Sequence, residues 1–343
     1  MENKNVVTIG GGAGSFTLLS GLKKYPLNLS AIVSMADDGG STGVLRDELG
    51  VLPPGDVRQC LVALSDSTDM LRELMNYRFE KGALKGHNFG NLFLSALEKI
   101  NGSFALGAEE AAEILNSKGE VIPVSEENMR LHIRLKNGRV LVGENHLDHN
   151  EKIRKNGVAE IYLMPKVKAY KKAVEAIKRA DFIIIGPGDH YGSIIPNLLV
   201  GGIADAIRKS KAKVVYNCNL TNKKGQTENF DLDRYVDEIN SYIGKDRINL
   251  VTFNGKKIPA ELIKKYERRE GRGAVVFMEG KNKKRKFSIV KATLLNDKAI
   301  KKNKGDPNAD NHSFIRHDPD KLAKVLMMLM EMADYDNLIR EII

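Results

Sequence analysis

Residues 5–22 read NVVTIGGGAGSFTLLSGL. A short β-branched run at 5–9 gives way to Gly10, Gly11, Gly12, Ala13 and Gly14, and residues 16–22 have helical character. A strand, a glycine turn and a helix in that order form a phosphate-binding arrangement. The glycines allow close backbone approach, and the helix start presents unpaired N–H groups and the positive end of a dipole. The dinucleotide fingerprint GxGxxG fails, because Ser15 and Thr17 stand where its last glycine is required. No GKS or GKT follows, so the turn is not a P-loop. The same unit recurs at 181–193, where the apolar run DFIII ends in Gly186, Pro187, Gly188, Asp189, His190, Tyr191, Gly192 and Ser193.

Further strands are expected at 29–36, 213–217, 248–253 and 286–295. Helices are expected at 57–65, 70–77, 92–100, 108–115, 171–180, 232–242 and 321–332. Repeated strand, loop and helix units predict an α/β chain with a doubly wound, mostly parallel Rossmann-like sheet. Its ligand would sit at the carboxyl ends of the strands. Within residues 1–343, read as a single domain, the pattern changes at about 121–164. There, alternating segments flank the Asn137-Gly138 hairpin signal, which predicts a small β-hairpin excursion.

Residues 36–58, ADDGGSTGVLRDELGVLPPGDVR, concentrate acids and turn formers. Asp37, Asp38 and Asp56 are hard oxygen donors of the kind that hold Mg²⁺ beside a phosphate, and Gly39 and Gly40 suit tight turns. Asp56 also stands where it could cap the helix at 57–65, and both roles are open. In GHNFGN (86–91), His87 and Asn91 precede a helix, with Asn88 or Asn91 as its cap or as a ligand contact. The Asp189-His190 pair suits acid–base work, with His190 the weak catalytic candidate, or serves as polar loop. His132, His146 and His149 have irregular spacing, and HLDH is not HExxH, so they are not read as a metal site.

The chain has 343 residues and no long apolar run, so no membrane span is expected. Its start, MENKNVVTIGGG, enters a strand pattern without a signal-peptide region, which predicts a cytoplasmic protein. The two cysteines, Cys60 and Cys218, have no CxxC partner, which argues against a disulfide framework or structural zinc. Of the net charge of +10, much lies in residues 281–304, with ten Lys or Arg against Asp297 alone. Only Phe287 is interleaved for stacking, so a solvated basic segment is favoured over nucleic-acid binding. The Met-rich helix at 321–332 is read as core, with a homodimer contact as the alternative.

The motifs GGGAG, MADDGGSTGVLRDELGVLPPGDVRQCLVALS, YRFEKGALKGHNFGNL, GPGDHYGSIIPNLLVGGI and IRHDPDKL, in this order over nearly the whole chain, resemble the YvcK family of gluconeogenesis factors. That family is related to CofD, the 2-phospho-L-lactate transferase of deazaflavin coenzyme biosynthesis. The resemblance implies a CofD-like fold and binding of UDP-sugars, chiefly UDP-N-acetylglucosamine. It also implies a role in cell shape and growth on gluconeogenic carbon, with a cell-wall or regulatory protein as partner. From the CofD side it implies a divalent metal on the aspartates that match Asp38 and Asp56, and a phospho-acid transfer to a deazaflavin as the alternative activity. From the YvcK side it implies UDP-sugar contacts by Tyr266 and Arg316. The family usually reads GGGTG where this chain has Ala13, and GPGSLYTSIIP where it has Asp189, His190 and Gly192. It usually reads NLMTQPGET where residues 219–227 are NLTNKKGQT, with Gln226. These changes fall in turns expected to meet the ligand, so they bear on which nucleotide sugar is bound rather than on the sheet.

Overall fold

The computed structural model describes residues 3–148, 150–280, 283–297 and 314–342, the last nine of these by backbone only. His149, part of the basic run at 281–304 and the start of the loop at 312–318 lie outside the described residues.

The chain begins with β1 (Lys4–Gly10), α1 (Gly12–Leu22), β2 (Leu27–Val33), α2 (Gly40–Leu49), α3 (Gly55–Leu64) and α4 (Asp69–Asn76). It continues through α5 (Phe89–Asn101), α6 (Phe104–Ile114) and β3 (Glu120–Pro123) to the excursion. That comprises β4 (Arg130–Leu135), β5 (Val140–Val142), a 3₁₀ turn (Glu144–Leu147), α7 (Glu151–Asn156) and β6 (Val158–Met164). After α8 (Lys171–Arg179) come β7 (Phe182–Ile185), a π turn (His190–Ile194), α9 (Ile195–Leu199), α10 (Ile203–Lys209) and β8 (Lys213–Asn217). The last elements are α11 (Leu232–Ile243), β9 (Ile248–Asn254), α12 (Ala260–Glu270), β10 (Ser288–Ala292) and α13 (Pro319–Ile342).

Seven strands form one parallel sheet in the order β10-β9-β8-β7-β1-β2-β3, flanked by helices. The order turns back between β1 and β7, so this is the expected doubly wound arrangement with its switch point at that pair. Covered on both faces, β7 is buried along its whole length, which is why it reads as continuous apolar FIII rather than alternating. Each such side chain withdrawn from water contributes about 1.5–3 kcal/mol. The excursion is a three-stranded antiparallel sheet, β5-β4-β6, turning at Gly138. Its Leu131 and Ile133 belong to the same apolar cluster as β1 and β7. On α13, Leu322, Ala323 and Leu326 are buried and the helix packs on α1, where Gly21 admits the Pro319 backbone.

The sequence reading expects turns through Gly39–Gly43, but a helix, α2, starts at Gly40. Its apolar positions are sparse, so periodicity does not reveal it; the Asp37 carboxylate instead accepts the Gly39 N–H at 2.9 Å just before its first turn. Helix α12 escapes the reading for the same reason, having only Tyr266 and Glu270 buried.

The carboxyl ends of the central strands are tied sideways by buried amides. Asn197 donates to the Gly10 carbonyl at 3.0 Å, and Asn217 donates to the Gly186 carbonyl at 2.9 Å. Thr252 on β9 donates its hydroxyl to Asn217 at 2.8 Å.

Candidate functional site

A cavity of about 540 Å³ opens at the carboxyl ends of β1, β2, β7 and β8, where the doubly wound order predicts a ligand. The two glycine turns form part of its wall. Gly12 has φ +57°, a value an L side chain rarely adopts, as the chain turns from β1 into α1. A Cβ on Gly14 would lie 2.1 Å from the Pro187 carbonyl oxygen, so the two turns touch backbone to backbone.

Gly11, Gly12, Gly14, Asp37, Gly39, Gly40, Asp56, Asn91, Gly188, His190, Tyr266 and Arg316 all line the cavity. Among the expected site residues, Gly10, Asp38, His87 and Gly186 do not. Gly10 is the last residue of β1, and Gly186 directly follows β7. His87 Nδ1 lies 3.2 Å from the Ser41 hydroxyl, which also sits within bonding reach of Asn91. Asn88 caps α5 through the Asn91 N–H, leaving the Asn91 side chain to accept from Arg58 at 2.9 Å.

The adjacent acids part company. Asp38 accepts the Asn145 N–H at 2.8 Å and lies 4.0 Å from Arg130, so it fastens the excursion to the main sheet. Asp37 faces the cavity with its carboxylate against Gly55, and Asp56 sits against Gly11. Asp56 does not cap its helix. The cap position belongs to Pro54, and the Asp56 carboxyl takes a bond from the Gly12 backbone. Burial, followed by the nearby Asp37 charge, pushes Asp56 up to about 8. Burial raises Asp37 as well, and Asp38 and Asp148 add to the effect. Glu144, at the edge of the excursion, is raised by burial and then by Asp37, Asp148 and Asp189.

Lys223, on the loop after β8, faces these acids. Its ammonium pairs with Asp189 and lies 3.2 Å from Asp148. Burial opposes its charge, but the two carboxylates outweigh burial and raise its pKa. Asp189 is likewise held below the ordinary carboxylate range: burial raises it, and Lys223 with the Gly192 N–H more than offsets that. A Cβ on Gly192 would meet the Glu144 carboxylate at 2.5 Å, so a side chain there would push Glu144 aside. Gln226 donates to the Leu147 carbonyl at 2.6 Å. The chain's departures at 189, 192, 223 and 226 thus form one connected wall against the excursion.

His190 is buried with its ring edge-on to Tyr191 and Tyr235, and its Nε2 is 3.6 Å from Glu238. That aromatic and acidic setting holds the turn in place. Tyr266 is also buried: Arg269 covers its ring at 4.6 Å and Phe314 meets it edge-on, so no open face remains for stacking a base. It can offer the cavity only its edge and hydroxyl. His132 stacks on Tyr162 and His146 bonds to Asn150, so these two do not converge. The sequence reading passes over Glu144, Asp148 and His317 as site residues. The signal for His317 was its place in IRHDPDKL beside Arg316, whereas nothing local marks the other two.

Among the described residues, no group of three or more His, Cys, Asp or Glu side chains is arranged to hold a metal. No helix among them is long and apolar enough to cross a membrane.

A protein-family model described as 2-phospho-L-lactate transferase CofD matches residues 6–324. A putative gluconeogenesis factor of Thermoanaerobacterium thermosulfurigenes is 41% identical over 332 residues, covering 96% of this chain and 98% of its own. The gluconeogenesis factor of Bacillus subtilis is 35% identical over 333 residues, covering 96% and 99%. The crystal structure of a UPF0052-family protein from Bacillus halodurans aligns with TM-score 0.83 at 34% identity, over 95% of this chain and 99% of that one. Sequence and overall fold agree: this chain belongs to the CofD/UPF0052 family.

Proposed function

We propose that the cavity binds a nucleotide sugar of the UDP-N-acetylglucosamine type, and that the protein acts in the cytoplasm as a gluconeogenesis factor linking that ligand to cell-wall growth and cell shape. One observation carries the reading. Two glycine turns meet at the switch point of a doubly wound sheet, beside the half-buried Asp37 and the buried Asp56, in a cavity of about 540 Å³. That volume is in the range of small-molecule sites. Relatives named gluconeogenesis factor match along nearly their full length. Arg316 would meet the diphosphate, since a guanidinium matches phosphate oxygens in pairs.

Mg²⁺ fits Asp37 and Asp56 rather than the pair implied by the resemblance, because Asp38 is committed to Asn145. Two carboxyls whose ionisation is opposed chiefly by loss of water contact are relieved by a divalent cation. Magnesium is typically held by one or two carboxylates, with water and phosphate completing its shell. Bound there, it would neutralise diphosphate charge.

The same acids and the CofD family match favour a second reading, a phospho-acid transferase. In it, an acceptor hydroxyl oxygen bonds to phosphorus as the phosphorus–oxygen bond to a nucleoside monophosphate breaks.

A thermal-shift panel of UDP-sugars, UDP, GDP and NAD, with and without Mg²⁺, tests the binding reading. A ligand at 100 times its Kd stabilises by about 2.7 kcal/mol. No shift with any UDP-sugar refutes it. Release of nucleoside monophosphate from an acid linked to a nucleoside diphosphate, in the presence of a deazaflavin, would establish the second reading.

A further inference from the structure

The loop after β8, helix α12 and residues 314–318 form a corner of the cavity through Leu220, Tyr266, Ile315 and His317. The backbone there is fixed. Asn296 donates to the Arg316 carbonyl at 2.9 Å, Asp318 donates to the Leu294 carbonyl at 2.7 Å, and Leu295 bridges His317. His317 is 6% exposed, and its imidazole is hydrogen-bonded to the Cys218 backbone. The Cys218 N–H is already given to Thr252, so its remaining backbone group is the carbonyl. The imidazole must therefore donate to it through Nδ1–H. That tautomer leaves Nε2 as a bare acceptor, and Nε2 has no partner within the described chain. Burial lowers the group to about 4, so the ring stays neutral at physiological pH. An unpaired buried nitrogen is costly, and because His317 lines the cavity, a ligand donor is the partner its nitrogen can still gain.

The other walls of this corner, Leu220, Ile315 and the Tyr266 edge, are mostly apolar. A flat ring with one N–H suits them better than a hydroxyl-rich sugar. Arg316, the preceding residue, reaches the same cavity and suits the phosphates.

We infer that His317 reads the nucleobase: its Nε2 accepts a hydrogen bond from a ring N–H. It thereby selects bases that carry one, of the uracil or guanine kind, over bases that present a bare ring nitrogen, of the cytosine or adenine kind. This rests on the nucleotide reading above. A bare ring nitrogen facing Nε2 leaves two acceptors opposed and both unpaired, which weakens binding at least about tenfold.

Calorimetry on the full chain with Mg²⁺ tests it, using UDP, CDP and N3-methyl-UDP as probes. UDP is expected to bind at least about tenfold more tightly than either of the others. His317→Leu should bring the three together, and His317→Gln, which keeps an acceptor, should restore part of the gap. Equal binding of UDP and N3-methyl-UDP to the unaltered protein overturns the inference, whether or not the variants fold. So does a gap that survives in a folded His317→Leu. If a sugar hydroxyl were the donor instead, UDP and CDP would bind alike and only UDP-sugars would gain, which also overturns it. Failure of every nucleotide to bind is a separate result, which refutes the nucleotide reading and this inference with it.

Discussion

A carboxyl buried beside other carboxyls keeps its proton to high pH, and Asp56 does so to about 8 against an ordinary 3.8. Between those values the unfolded chain has lost a proton that the folded chain retains. The associated stability is complete below 3.8 and is lost as pH rises through about 8. The ligand-free protein should therefore melt at progressively lower temperature as pH is raised across that window, and Asp56→Asn should flatten the slope. A variant with an unchanged slope would show that Asp56 is not the group involved. Mg²⁺ needs the ionised form, so its binding at neutral pH should release a proton and tighten toward pH 8. Calorimetry in two buffers of different ionisation heat reads that release directly; none would remove the Asp37–Asp56 pairing. Both acids stand out in the sequence, but which of Asp37 and Asp38 faces the cavity was not legible there. Adjacent residues on extended backbone point opposite ways, and only the position of the distant excursion decides between them.

The excursion is held to the cavity rim by Lys223 with Asp148, by Gln226 with Leu147 and by Asp38 with Asn145. Lys223→Met leaves Asp148 and Asp189 facing each other and Glu144 without a cation. The lysine side chain is 35% exposed, so water screens part of the loss. A destabilisation of about 1–3 kcal/mol is expected, below the value for a fully buried pair. Urea unfolding measures it, and a change under a few tenths would show that the latch contributes little. At this scale the sequence was legible where burial is complete. The parallel strands β1, β7 and β8 appear as β-branched or apolar runs because both their faces are covered. Helices α2 and α12 were not legible, because each buries too few side chains to show a period of 3.6.

The lateral order of the strands, β10 to β3 with its reversal at β1 and β7, could be expected only as a class, since a strand does not name its neighbour. The reversal nevertheless sets a strict requirement where the two turns touch. Gly14→Ala places a methyl 2.1 Å from the Pro187 oxygen and should cost about 1–3 kcal/mol in chemical denaturation, with nucleotide binding lost as the turns separate. Gly188→Ala meets nothing closer than 3.6 Å and should leave the fold intact. If the two variants were equally stable, the turns would not be packed as described.

The crosswise bonds of Asn197 and Asn217 have a bearing on the thermodynamics of occupancy. Ladder bonds run between neighbouring strands along their length, whereas these amides close the carboxyl edge like stitches across a seam. The floor of the cavity is thus already stiff before a ligand arrives. The ordering that binding demands then falls on side chains of the opposite wall, at residues 144–148, 219–227 and 314–318, whose backbone is itself tied down. Filling the cavity then quiets those side chains without moving a strand, and a molecule resting against them could sense occupancy as a loss of motion alone.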